Sequence, residues 1–160
     1  MTDYNKIEIV KNIIVELLEK CGIQGSVEFE ESITKGLVFN ISSPDSFMII
    51  GRQGSTLHAI QILTQALAAK RLYPPAAEQE PFWFSLDVDD YKRKREWFLK
   101  ETAKAASDRC KLTGRALSLE PMPSYERRLV HAYLQEHCPD VESSSIGNDP
   151  YRKVVIRQKR

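Results

Sequence analysis

The sequence predicts an α+β protein made of two small consecutive units, and three observations carry that prediction. Apolar residues alternate at period two in several short stretches and recur at helical spacing in the segments between them. A Gly51-Arg52-Gln53-Gly54 loop separates a short helical segment from a long one. The charge changes sign near Asp90: residues 1–90 hold 7 Lys/Arg against 13 Asp/Glu, net −6, and residues 91–160 hold 16 against 9, net +7. A chain of 160 residues accommodates two units, each of about 70 to 90 residues and near the lower limit for a self-sufficient core.

The first unit is expected over residues 1–89. Ile7, Val10, Ile14 and Leu17 share one face of a helix, and Cys21-Gly22 ends it as a glycine near a C-terminus does. Val27 and Phe29 alternate with Glu28 and Glu30, and Leu37, Phe39 and Ile41 alternate with Val38 and Asn40. With Thr34-Lys35-Gly36 as a turn, these form an antiparallel hairpin. Ser43-Pro44-Asp45 supplies a capping hydroxyl, an early proline and a carboxylate for a short helix that Gly51 stops after about two turns. Leu57, Ile60, Leu63 and Leu67 put an apolar stripe on a longer helix running to about Arg71, before Pro74-Pro75. Phe82, Phe84, Leu86 and Val88 then alternate as a third strand.

The second unit is expected over residues 90–160. Asp89-Asp90 can cap a helix whose buried side is marked by Tyr91, Phe98, Thr102, Ala105 and Leu112, ending at Thr113-Gly114. A short strand at 115–119, the Pro121-Met122-Pro123 turn and a helix from about Ser124 to Glu136 follow, with Val130, Tyr133, Leu134 and His137 toward the core. Strands near 141–145 and 151–157 complete a set of helices packed on a small sheet.

Composition narrows the function. Hydrophobic content of 42% and charged content of 28% are those of a folded globular chain. Cys21, Cys110 and Cys138 are odd in number and lack a C-x-x-C pair, which fits a reducing cytoplasm better than a disulfide framework. His131, His137 and Cys138 have no fourth ligand at finger-like spacing, so neither a metal nor another cofactor is expected. No charged-then-apolar leader and no spanning segment are expected.

The loop suits a nucleic-acid backbone. Gly51 and Gly54 lack a Cβ, so a sugar-phosphate chain can come within reach of main-chain N–H groups, and the helix opening at Ser55 adds a favourable field for anions. Arg52 is then a phosphate contact or a solvated charge, with Gln53 beside it. Trp83 fits base stacking and packing equally well. The Lys92-Arg93-Lys94-Arg95 run lies in a first helical turn, where the dipole disfavours cations, which makes a purely structural explanation strained. Arg127 and His131, four apart, project from one side of their helix and could grip a phosphate; Arg128 is rotated by about 100°.

The order helix, strand, strand, short helix, G-x-x-G, helix, strand resembles the type II KH fold of bacterial proteins, and the stretch from Leu37 to Gln61 resembles the KH segment of the Jag/KhpB family. Loops of that family often carry two basic residues between the glycines, whereas here only Arg52 is basic. Arg127-x-x-x-His131, after a Leu-Glu-Pro-Met-Pro turn and before two strands, resembles the R-three-H motif, named for an arginine and a histidine separated by three residues. A KH domain joined directly to an R-three-H domain is similar to the Jag/KhpB family over essentially the full chain. Many members begin with a Jag domain; here the first helix starts within a few residues of Met1, so a form without that domain is expected.

The resemblance implies a non-enzymatic, single-stranded nucleic-acid-binding regulator, with RNA the expected ligand over DNA. Its contacts would be Gly51, Arg52, Gln53, Gly54 and Ser55 in one unit and Arg127, Arg128 and His131 in the other. It also implies a small single-KH protein as a partner, and an alternative is a protein-interaction module built on that pairing. A phosphoesterase is a weaker rival, because no G-K-[ST], nucleophile elbow or paired carboxylates accompany the loop.

Overall fold

The computed structural model describes residues 3–32, 36–73 and 82–159. Contacts divide the chain into two compact units, Met1–Lys92 and Arg93–Arg160.

The first unit opens with α1 (Asp3–Lys20), β1 (Ser26–Ser32) and β2 (Gly36–Ser42). Gly22, at φ 70°, ends α1 in the left-handed conformation that a helix C-terminus favours. β1 and β2 pair antiparallel with Phe29 opposite Phe39, as the alternation predicts; the middle of the expected turn, Thr34-Lys35, lies outside the described residues. Next come α2 (Ser46–Ile50), a 3-10 turn at Arg52–Gly54, α3 (Ser55–Leu72) and β3 (Ser85–Val88). The sheet order is β1-β2-β3, with β3 parallel to β2. The unit therefore has the element order of the type II KH fold. α1 packs against α3 and β1, and α3 against β3, enclosing a core around Phe39, Ile41, Ile49 and Leu86.

Three details differ from the sequence reading. α2 is a single turn that starts at Ser46, because Ser43 Oγ is used one step earlier: it accepts the Asp45 N–H and donates to the Gln24 carbonyl. β3 is shorter than residues 82–88: its pairing with β2 starts at Ser85, opposite Val38. Phe84 still enters the core, edge-on to Phe39 with centroids 5.5 Å apart. Finally, α3 buries Leu57, Thr64, Ala68 and Leu72, and its Leu63 is 48% exposed. Small side chains at 64 and 68 let α3 approach its neighbours closely, and the bulkier Ile62 and Leu63 stay outside. The Pro74-Pro75 stop lies outside the described residues.

The second unit contains most of α4 (Tyr91–Thr113), then β4 (Leu117–Ser118), α5 (Ser124–His137), β5 (Val141–Ile146) and β6 (Lys153–Gln158). Its antiparallel sheet has the order β4-β6-β5. Leu99, Ala103 and Cys110 of α4 and Val130 and Leu134 of α5 pack with Val141, Val154 and Ile156. The buried face of α4 thus includes Leu99 and Ala103 rather than Phe98, Ala105 and Leu112, all of which are exposed. On α5 His137 is exposed and stacks on Tyr133 instead of facing the core.

The start of α4 is capped from a residue earlier than expected. Asp87, 8% exposed, accepts the Lys92 N–H of the first turn of α4 and the N–H of Val88. Asp89 and Asp90, both at positive φ, make the turn between, and the Asp89 carboxylate takes the Ser46 hydroxyl.

Candidate nucleic-acid interface

In the loop of the first unit, sequence and geometry agree closely. Gly51 lies at φ 68°, ψ −173°, a conformation open essentially to glycine alone, and its N–H bonds to the Phe47 carbonyl at 2.9 Å. A Cβ at Gly51 would stand 2.7 Å from Thr56 Cβ; one at Gly54, φ 78°, would stand 2.8 Å from Tyr91 Cε1. Gln53 between them adopts φ 53°, so three of four loop residues have positive φ and the backbone turns sharply outward. Arg52 and Ser55 are exposed and Gln53 is half-buried.

The helix that follows amplifies this geometry. α3 begins at Ser55 with Gly54 as its N-cap, no side chain bonded to that cap, and no acidic residue in the first turn. Its positive end is left to the loop. Phe47, 73% exposed, and Met48, 51% exposed, put apolar surface on the short helix leading into the loop. On the far side of α3, Gln61 and Gln65 reach the edge of β3: Gln61 Oε1 accepts from Leu86 N and Lys92 Nζ, and Gln65 Nε2 donates to the Phe84 carbonyl. Amphipathic periodicity gave no sign of these two polar fasteners.

The second unit holds Arg127 and His131 differently from the sequence reading. They sit one turn apart on α5, as their spacing requires. However, Arg127 is 6% exposed, and its Nη1 donates to the Met122 carbonyl at 2.6 Å and to Asp149 Oδ1 at 2.9 Å. Its guanidinium fastens the Pro121-Met122-Pro123 turn to the loop between β5 and β6 and does not face solvent. The carboxylate that Arg127 meets is that of Asp149.

Glu126 is engaged elsewhere. Fully buried, it receives a two-pronged contact from Arg95, with Nε to Oε1 and Nη2 to Oε2 both at 2.9 Å. Of the Lys92 to Arg95 run, Lys92 bonds Gln61 and Arg95 bonds Glu126, and Lys92, Arg93 and Lys94 are exposed.

His131 is half-buried, its Nδ1 2.7 Å from Ser143 Oγ and its Nε2 2.8 Å from Ser145 Oγ. The two serines are two apart on β5 and so share a face. Burial, with a smaller effect from the Arg127 charge, lowers the His131 pKa below its ordinary 6.5, so the ring is neutral at pH 7. One nitrogen then donates and the other accepts, and the hydroxyls rotate to match. His131 is a neutral clamp between α5 and β5.

Cations do lie close by. An open depression of about 470 Å³ has His131, Gln135, Glu142, Ser143 to Ser145, Arg152 and Lys159 among its lining residues. Arg157 Nη1 reaches Ser144 Oγ at 3.4 Å, and Arg128 is exposed on α5. Among the described residues no group of three or more His, Cys, Asp or Glu could hold a metal ion, and no helix is long and apolar enough to cross a membrane.

The fold and this site define the class: residues 98–158 match the R-three-H domain family, and the unit before them has the KH element order. Among known proteins, the chain is 32% identical over 159 residues to an RNA-binding protein KhpB of Clostridium symbiosum, covering 96% of this chain and 68% of that one. It is 30% identical over 155 residues to the protein of that name from Bacillus subtilis, covering 96% and 71%. With the Lactiplantibacillus plantarum protein of that name identity is 35% over 117 residues, covering 73% of this chain and 34% of that longer one. The chain belongs to the KhpB family.

Proposed function

We propose that the chain binds single-stranded RNA without chemical turnover, residues 1–89 acting as a KH domain and residues 90–160 as an R-three-H domain. The observation that carries this reading is the loop. Positive φ at Gly51, Gln53 and Gly54 folds the chain into a tight turn that leaves Arg52 and Ser55 exposed in front of a helix N-terminus with no acidic residue in its first turn. Arg52 and Ser55 contact phosphate there, with Gln53 beside them, and Phe47 and Met48 give unstacked bases an apolar wall.

In the second domain Arg152, Lys159 and Arg128 attract the strand. Arg127 and His131 act at one remove, by fixing the loop and the serine row that shape the depression. That relatives carry the name RNA-binding protein supports the choice of RNA. The three unpaired thiols, one of them exposed, suit a reducing cytoplasm.

Changing Arg52 and Gln53 together to Asp tests the reading, since both side chains leave the core intact. RNA affinity in a filter-binding assay is expected to fall by about tenfold or more, a loss of about 1.4 kcal/mol, with an unchanged circular dichroism spectrum. Unchanged affinity would remove the loop from the interface.

A further inference from the structure

Trp97 is 66% exposed in the first half of α4, on the side away from Leu99 and Ala103. At about 100° per residue, Leu99 lies about 200° around the helix from Trp97, so packing within this unit does not account for an indole there. Around it, at i±3, i±4 and i+7, stand Arg93, Lys94, Lys100, Glu101 and Lys104, with Glu96 paired to Lys100 at 2.6 Å, so four cations face two carboxylates. Phe98 next to it is 52% exposed and has the Arg95 guanidinium, held by Glu126, over its ring at 5.6 Å. Trp97 is thus the more open aromatic face in a cationic field. It lies in a unit with 15 Lys/Arg against 9 Asp/Glu.

We infer that this face of α4 is a base-stacking site for single-stranded nucleic acid, additional to the glycine loop and the His131 depression. The inference rests on the RNA-binding reading. An indole offers a planar apolar surface that any base can cover, and cations three and four residues away are placed for the flanking phosphates. A purely apolar partner would cover a face that keeps a net positive charge, four cations against Glu96 and Glu101, and a free phosphate would not use the indole. A short single strand uses both.

The chain has two tryptophans, so Trp83→Phe leaves Trp97 as the sole indole emitter. In that full-length variant, a short oligoadenylate is expected to quench the emission saturably, in step with the anisotropy of a labelled copy, whereas inorganic polyphosphate and polyglutamate leave it unchanged. Trp97→Ala is expected to weaken oligoadenylate binding about tenfold, with Trp97→Phe retaining most of the affinity. Binding by anisotropy with unquenched Trp97 emission overturns the stacking site and leaves the RNA-binding reading standing. Absence of any binding overturns both. Equal quenching by polyglutamate overturns the site in favour of an acidic protein partner.

Discussion

At His131 two hydroxyls, a nearby guanidinium and partial burial set the charge of a single ring. Because its folded pKa lies below the unfolded value, the unfolded chain binds more protons at mildly acidic pH, and stability rises with pH there. The stabilisation from neutral His131 is complete above about pH 6.5 and is lost as the pH falls through the folded value. Thermal melts between pH 8 and pH 5 should show a steeper acid loss for the native protein than for His131→Gln, which stays neutral and can still bond a serine. Parallel curves would mean that the clamp does not titrate with folding. The spacing of Arg127 and His131 was legible in sequence, but their employment was not. Arg127 depends on Asp149, 22 positions away, and no local pattern announces such a partner. Gly51 and Gly54 were legible because positive φ at a loop leaves so few alternatives.

α4 and α5 are joined through Arg95 and Glu126, and this pair carries the prediction at the scale of elements. Glu126 has no solvent exposure, and Arg95 side-chain exposure is 15%. Glu126→Ala would leave a largely buried guanidinium without its carboxylate, at a cost of about 3 kcal/mol or more, measurable by urea denaturation. A loss below about 1 kcal/mol would show that water or another acid replaces it. The helices and strands among the described residues were legible from periodicity, capping and turn residues, and the order of elements, whereas the facing of α3 and α4 was not. In α4 the run Trp97-Phe98-Leu99 offers three consecutive apolar residues, and size favours an aromatic for the core; the helix buries Leu99 instead. In α3 apolar residues occupy nearly all sides, so periodicity could not single out Thr64 and Ala68.

Under the proposed function, the acidic first half and the basic second half of the chain divide the labour of binding. A loop with one cation positions a strand better than it attracts one, so long-range attraction falls to residues 91–160. If Arg152 and Lys159 each neutralise a phosphate, changing both to Gln should reduce the slope of log affinity against log salt by about 1.4, at about 0.7 per phosphate of a single strand. A slope unchanged within error would place the strand elsewhere on this domain. The sign change itself is visible in the sequence; which cations line the depression beside His131 is decided by the pairing of β5 and β6, which composition does not reveal.

The tight neighbours of the two glycines also govern how the loop can change by descent. Thr56 closes position 51 and Tyr91 closes position 54 to any side chain, while Arg52 points to solvent. Position 53 is limited to residues that tolerate left-handed backbone. Variation in ligand preference is therefore channelled almost wholly through position 52, and through position 53 among a narrow set. A lineage can retune the chemistry of the loop there without disturbing the fold that carries it.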